Sequence, residues 1–534
     1  MLGQLMNWRV AVFLFVAALL CRTLPAQTTY YVDYAGGSDS YDGTEKTHTS
    51  GSTGPFQHAP GMTGCTVNCK AASVTPGSRV ILKGGVTWPA SCFVWNISYS
   101  GNATSTWVIA YPETSTSMIY IGVDTTWYSG NLWTRPILNA QGTTPSGPYG
   151  HMIEVTGQYL NIDNFELTGM YWNSNSTQAY YIEDDASYVA ITANYFHGWS
   201  HGSKATSDNL YAIRGCNVNG CNPGSFAAYN VISGADSGKN GGNFIYASPE
   251  IAFANYCEYV GSCFVGNWCA VHDNTAFDLV QHWDGGHPDV MQANSSVPYG
   301  QCVRGVSSSI GALYYNNNFG HACAKASCGA STFVTGPWES VDYVFNNIIY
   351  NTDANQGNVF SQGKCLFCTP LGTGFFVNNT IECGPDSGPE GTCFNSNSSV
   401  AIIQNSHMIT GSGTPIEAGT YVRIMRPNIV ENVRKANKSG YSMKQTYPFS
   451  PTSSSSPTVA SVAKGNNLTG ICNSNAVLAP LCQDTTLGVR YNSTTHSVTW
   501  PARTPQKRPT TGYWDVGAYQ YTSGGSSTPA AAHQ

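Results

Sequence analysis

The densest run of chemically capable side chains lies between Val271 and Gln292. It gathers His272, Asp273, Asp278, His282, Asp284, His287, Asp289 and Gln292. An imidazole that titrates near neutrality beside a carboxylate can take or give a proton. His287 and Asp289 are therefore candidate acid and base. Asp284 with Asp289 could instead hold calcium, which wants several oxygen ligands. The stretch Asp289-Val-Met-Gln292 reads as a strand, with Asp289 and Met291 on one face and Val290 and Gln292 on the other. The competing reading is a loop whose carboxylates and imidazoles satisfy one another. A second cluster runs from Glu183-Asp-Asp185 through His197, Trp199, His201 and Lys204 to Asp208. Asp184 and Asp185 adjoin on a strand, so their side chains point to opposite faces. Capping of the surface is the alternative to catalysis there.

Repetition shows what must hold these groups. Tyr314-Tyr-Asn-Asn-Asn-Phe319, Val344-Phe-Asn-Asn-Ile-Ile349, Phe376-Val-Asn-Asn-Thr-Ile381 and Ile402-Ile-Gln-Asn-Ser-His407 share one form, aligned on Asn317, Asn347, Asn379 and Asn405. Earlier members begin at Leu160, Ile191, Ala227 and Ile251. Each is a short apolar strand, an Asn and a second short strand. A self-similar period in the range of about 20–50 residues signals a solenoid. With no helical run between units, successive strands must stack in parallel. Asn tolerates the left-handed backbone of a sharp bend, and its amide can bond to the Asn one coil on. The expected fold is all-β, a single parallel β-helix, right-handed by the crossover rule. Variable gaps put variable loops on one side, where binding faces form.

Composition and the chain's start agree. Charged residues are 10% and aromatics 12%. So few Lys and Arg exclude a nucleic-acid footprint. Arg9, the apolar run Val10 to Leu20 and the exit Leu24-Pro25-Ala26 have the layout of a secretory signal peptide. That run is short for a bilayer span, which takes about 20 residues. Cleavage near Ala26, an extracellular, periplasmic or cell-surface location and no membrane attachment afterwards are expected. The chain has 18 cysteines, an odd number once Cys21 leaves with the signal. Close pairs (Cys65 and Cys69, Cys216 and Cys221, Cys323 and Cys328, Cys365 and Cys368, Cys383 and Cys393, Cys472 and Cys482) read as loop-stapling disulfides in an exported chain. Zinc at Cys365-Leu-Phe-Cys368 is the rival reading for that pair.

The ends add a resemblance. Tyr30-Tyr-Val-Asp33, Gly37-Ser-Asp39, Asp42-Gly43, Pro55-Phe56 and Pro76-Gly-Ser-Arg-Val-Ile-Leu-Lys-Gly-Gly85 resemble the opening of secreted bacterial right-handed parallel β-helix proteins of the pectate-lyase-like superfamily. Ser456-Pro-Thr-Val459 and Trp514-Asp-Val-Gly-Ala-Tyr519 resemble their closing motifs. Ser78 and Gln520 stand where that family usually has acids. The resemblance covers nearly the whole mature chain and is specific for fold, because one fold hosts many functions. The expected divisions are 1–26 signal peptide, 27–135 N-terminal cap and first coils, 136–450 β-helix, 451–521 closing segment and 522–534 disordered tail.

The same resemblance implies chemistry. His287, Asp289 and Gln292 match an H-x-D-x-x-Q entry of many β-helix carbohydrate enzymes, with Gln292 as an orienting group. Asp184 or Asp185 with His197 and His201 faintly resembles polygalacturonase-like hydrolases, whose other signature strands are absent here. A lyase needs positive charge to hold a uronate carboxylate. Between residues 140 and 400 the basic side chains are Lys204, Arg214, Lys239, Arg304, Lys325 and Lys364, far outnumbered by acids. Lyase chemistry would therefore call on calcium, with Lys239 or Arg304 as neutralisers. A neutral glycan and hydrolysis remove that demand. Trp199 and Trp283 adjoin the polar clusters and offer flat faces for sugar rings. The expectation is a protein that cleaves a polysaccharide in a groove along the helix. The alternative is a non-catalytic surface or adhesion rod that binds glycan.

Overall fold

Nearly every coil of the chain repeats three short strands, and the bend between two of them has a fixed length. The computed structural model describes residues 27–102, 117–144, 150–205, 210–215, 224–237, 243–246, 251–280, 289–296, 299–303, 306, 310–320, 333–335, 341–350, 360–362, 373–383, 393–396, 400–410, 416–418, 422–451 and 461–521. The expected signal peptide and C-terminal tail lie outside these residues. Among the described residues the strands form two 13-stranded sheets and one 11-stranded sheet, each with parallel neighbours, and a separate antiparallel pair, Arg490–Asn492 with Ser497–Thr499. We call the three parallel sheets A, B and C. One coil runs Ala179–Asp184 in sheet B, Val189–Thr192 in sheet A and Tyr195–Phe196 in sheet C. The next coil stacks on it in register: Ile182 meets Ile213, Ile191 meets Ala227, and Phe196 meets Ile232. The fold is an all-β parallel β-helix.

Inward columns make the core. Ile153, Ile182 and Ile213 from sheet B, Ile162 and Ile191 from sheet A, and Leu167 and Phe196 from sheet C are all fully buried. Each such side chain contributes about 1.5–3 kcal/mol relative to exposure. Strands this short are stable only because every coil covers the next.

The bend from sheet A to sheet C is two residues long. The first takes the left-handed region: Ala193, Tyr229, Ala254, Asp273, Asn316, Asn346 and Asn378 have φ between 53° and 60°. The second is the ladder Asn. Asn194, Asn230, Asn255, Asn274, Asn317, Asn347 and Asn379 are fully buried. From Asn194 to Asn347 each passes its side-chain N–H to the side-chain carbonyl oxygen of the next ladder Asn, as from Asn274 to Asn317 at 3.1 Å and from Asn317 to Asn347 at 3.0 Å. Each also donates back to a strand carbonyl, Asn317 to Val271 at 2.9 Å. This corrects the sequence reading in two ways. The ladder Asn does not take the left-handed turn; the residue before it does. Asn405, with φ 51°, is that preceding residue, and Ser406 stands at the ladder position.

The C-terminal segment does more than close the last coil. It runs back along the outside of the A–C bends. Gly517 N–H donates to Asn405 O at 2.6 Å, Asn346 Nδ2 to Gln483 O at 2.9 Å, and Val489 N–H to Thr275 Oγ1 at 2.9 Å. Far down the helix, Arg135 donates to Thr495 O at 2.7 Å. The segment covers apolar side chains that the bends leave outside: Leu478 and Val489 pack with Ile251 and Leu313, and Trp514 packs with Phe345 and Val377.

At the other end, the opening motif packs as a unit. Lys83 pairs with Asp33 at 2.7 Å, and His58 with Asp39 at 2.9 Å. A side chain on Gly37 would sit 2.2 Å from the carbonyl oxygen of Phe56, so only Gly fits. The described disulfides are Cys65–Cys69, Cys257–Cys263, Cys269–Cys302, Cys383–Cys393 and Cys472–Cys482. They fit an oxidising compartment. Cys216, Cys221, Cys323, Cys328, Cys365 and Cys368 lie outside the described residues. Cys92 is buried without a disulfide. Among the described residues no helix is long and apolar enough to cross a membrane.

Candidate functional site

Sheet B differs from the other two in its connections. Sheets A and C are joined by tight bends, whereas the segments into and out of sheet B vary in length, from the single residue between Trp268 and Ala270 to the stretches from Gly320 to Phe333 and from Gln362 to Thr373. A sheet face walled by variable loops is where a groove forms.

Consecutive strands on sheet B carry one pattern: Gly150-His-Met-Ile-Glu-Val155, Ala179-Tyr-Tyr-Ile-Glu-Asp184 and Leu210-Tyr-Ala-Ile-Arg-Gly215. The Ile of each faces the core. Glu154, Glu183 and Arg214 are register partners in one column, and His151, Tyr180 and Tyr211 in another. Arg214 Nη1 lies 2.8 Å from Glu183 Oε1. His151 Nδ1 lies 2.9 Å from Glu183 Oε2, an ion-pair contact rather than a directed hydrogen bond, and His151 Nε2 lies 3.7 Å from Glu154. The Arg214 guanidinium also rests over the Tyr180 ring at 4.8 Å, and Tyr180 stacks on Tyr211. Glu183 and His151 are buried. The charge of Arg214 is thus taken up inside the cluster by Glu183.

Two carboxyls remain toward the open side. Glu154 is half-buried, and Asp185 is exposed just past the end of its strand. Although its side chain reaches solvent, the protein packed around the Asp185 carboxyl and then the charges of Glu183 and Glu154 raise its pKa from the ordinary value, against Arg214 and His151. Asp185 N–H bonds to Val155 O at 2.9 Å, so it sits one coil above and two positions beyond Glu154. One coil rise and two strand residues put their Cα atoms about 8 Å apart. Two carboxyls on neighbouring coils, one of them with its pKa raised from the ordinary value, can give and take protons across a bond between them.

The residues singled out from sequence are placed as follows. Asp184 is fully buried, and its Oδ1 accepts the Ala186 N–H at 3.0 Å. His197 lies on the sheet C side between Asp236 (2.6 Å) and Glu166 (3.1 Å), away from Asp185. His201 is half-buried, with Nδ1 3.1 Å from Gly202 O. Trp199 is 3% exposed and packs in the core, so its ring is closed to a sugar. Lys204 is exposed. Asp289 is buried just before the sheet B strand Met291–Ser296, where its N–H meets Ser262 Oγ at 3.3 Å. Gln292, half-buried, continues the column of Glu154, Glu183 and Arg214 by way of Tyr246 and Val265. It lies three coils beyond Arg214, about 14 Å. Asp284, His287, Trp283, Lys239 and Arg304 lie outside the described residues, and so does the Asp284 half of the calcium site. Among the described residues no group of three or more His, Cys, Asp and Glu could hold a metal. From the dense run, His272 ends a sheet A strand and Asp273 opens the bend after it: His272 stacks between Phe253 and Tyr315, 2.7 Å from Asp273.

Sequence reading passed over His151 and Glu154. The signal that finds them is the sheet B repeat itself, a His or Tyr three places before Glu or Arg on successive strands.

No family model and no curated protein matches the chain. Similar solved structures include the GH136 lacto-N-biosidase from Eubacterium ramulus, at 12% identity over 76% of this chain and 68% of that one, TM-score 0.38. A pectate lyase, Pel9A, is 15% identical over 94% of this chain and 98% of its own, TM-score 0.38. An alginate lyase from Paenibacillus sp. str. FPU-7 is 15% identical over 67% and 92%, TM-score 0.33. Likeness at this level says nothing of activity. The strand order, the parallel register and the Asn bends make this chain a parallel β-helix.

Proposed function

We propose that this is an exported protein that hydrolyses a polysaccharide in a groove along sheet B. Asp185 is the proton donor and Glu154 the base. The observation that carries this reading is the placing of the pair itself: Asp185 and Glu154 stand on adjacent coils of sheet B, toward its open side. Glu183 does not react. It holds Arg214 and His151 in place, and His151 in turn stands beside Glu154. The spent charge of Arg214 speaks against a lyase, because no described cation on this patch is left for a uronate carboxylate and its enolate.

The strand Met291–Ser296 is part of sheet B, and Gln292 stands on the same column as Glu154 and Glu183. In this reading Gln292, with His287, Asp284 and Trp283, contacts the glycan some coils from the reacting bond, with Lys239 and Arg304 beside it, and the buried Asp289 supports the turn behind them. Calcium at Asp284 and Asp289 would bridge acidic sugars there. A second reading, a rod that binds glycan without cleaving it, is favoured by one observation: Glu183, His151 and Arg214 satisfy one another, as a purely structural cluster would. Turnover of a polysaccharide panel by the protein and by its Asp185→Asn and Glu154→Gln variants separates the two. Loss of cleavage with retained glycan binding supports hydrolysis, and binding without cleavage by the unaltered protein supports the rod.

A further inference from the structure

We propose that a trough on the outer face of sheet A, at the N-terminal end of the helix, binds a sugar carboxylate, with Arg79 as the recognising group. This goes beyond the reading of sheet B and does not depend on cleavage. The trough encloses about 570 Å³ and is lined by Tyr31, Arg79, Tyr120, Asp124 and Asp163 among others. That volume lies in the range of about 300–1,000 Å³ typical of small-ligand sites.

Its floor is built. Thr29, Arg79 and Tyr120 are register partners on three consecutive strands, and Ile81 pairs with Gly122 beside them. Gly122 has no side chain, and a Cβ there would stand 2.5 Å from the Tyr120 hydroxyl. The Tyr120 side chain therefore folds over Gly122. Its hydroxyl donates to Asp163 Oδ2 at 2.9 Å and accepts the Val123 N–H at 3.2 Å. The Arg79 guanidinium lies over this fixed ring, 4.6 Å from its centre.

The charges leave Arg79 in surplus. Asp124 is paired with Lys46 at 2.6 Å. Asp163 accepts the hydroxyls of Tyr120 and Thr192, and Arg135 feels its charge. Among the described residues Arg79 has neither an ion pair nor a side-chain hydrogen bond. A planar guanidinium held flat by an aromatic ring, with its N–H groups unclaimed, is suited to grip a planar carboxylate by two parallel bonds. A uronic acid unit supplies that carboxylate on a ring that can lie in an open trough.

The test is direct binding of uronic-acid oligomers, their carboxyl-reduced counterparts and a sulfated glycan. The proteins are the purified chain and its Arg79→Gln, Arg79→Lys, Gly122→Val and Asp185→Asn variants. Folding of each is checked by circular dichroism. The expected result is salt-sensitive binding of the uronate oligomers and none of the reduced ones. Arg79→Gln should weaken it about tenfold or more, Arg79→Lys and Gly122→Val should weaken it, and Asp185→Asn should leave it unchanged. Equal affinity of the folded Arg79→Gln protein, absence of uronate binding, or equal binding of the sulfated glycan would each overturn the proposal. Asp185→Asn keeps a failure here distinguishable from a failure of the sheet B reading.

Discussion

Replacing His197 by Gln should remove a pH-dependent clasp between the helix and its C-terminal segment. The imidazole spans Asp236 and Glu166 and stacks on Tyr195, which stacks in turn on His496 of the hairpin formed by Arg490–Asn492 and Ser497–Thr499. Burial works against the charged imidazole, but the two carboxylates overcome it and raise the His197 pKa to about 9. The ordinary value is about 6.5, and the difference between the two corresponds to about 3 kcal/mol. Half of the Asp236 side chain is in solvent, which screens the pair and brings the figure to about 1.5–2 kcal/mol. The folded pKa is the higher one. The contribution is therefore whole below pH 6.5 and is lost as pH rises toward 9. His496 behaves oppositely. Burial, then the charges of His197 and Arg135, lower its pKa, so it costs stability as pH falls through the usual histidine range. Urea unfolding at pH 6.5, 7.5 and 9 at fixed ionic strength measures the effect, with hydrogen exchange of the hairpin amides as the local readout. The unaltered protein should lose about 1.5–2 kcal/mol over that range, and His197→Gln should be nearly flat. Equal slopes for the two proteins would refute the assignment.

Two further outcomes follow from the fold. Asn317→Ala leaves the two Asn274 N–H groups without their acceptor and removes the side-chain donor to Asn347 Oδ1 and Val271 O, all buried, while the residue 317 backbone N–H still reaches Asn347. It should cost about 2–4 kcal/mol at one rung, read as a lower urea midpoint. Burial pushes the Cys92 thiol up to about 12, so native protein at pH 8 should leave it unmodified by iodoacetamide, with modification appearing only after unfolding, as mass spectrometry can follow.

The fold was legible because its bend repeats with constant length and strict chemistry. Every A–C turn needs one left-handed residue and one buried amide, and the apolar flanks must face inward. The register of that turn was read one place out at Asn405, because Asn also serves as the left-handed residue at 316, 346 and 378, where two Asn stand together. The outward column on sheet B was harder to see. Nothing in the core constrains it, so it runs Asn96, Glu154, Glu183, Arg214, Tyr246, Val265 and Gln292, and only three neighbouring rungs betray a pattern. Clustering in sequence also misled at His272 and Asp273. They fall at a bend covered by the C-terminal segment, which arrives from over two hundred residues away. Trp199 adjoins polar residues in sequence, yet its indole is more stable in the core than in the groove.

Cleavage of a polysaccharide panel tests the central claim most directly. Reducing ends and the ultraviolet absorbance of unsaturated products would be followed together, with and without a chelator, for the unaltered protein, Asp185→Asn and Glu154→Gln. Hydrolysis on sheet B predicts new reducing ends without new absorbance, and a loss of at least a hundredfold in each variant with glycan binding kept. Unsaturated products, or full activity in both variants, would contradict it.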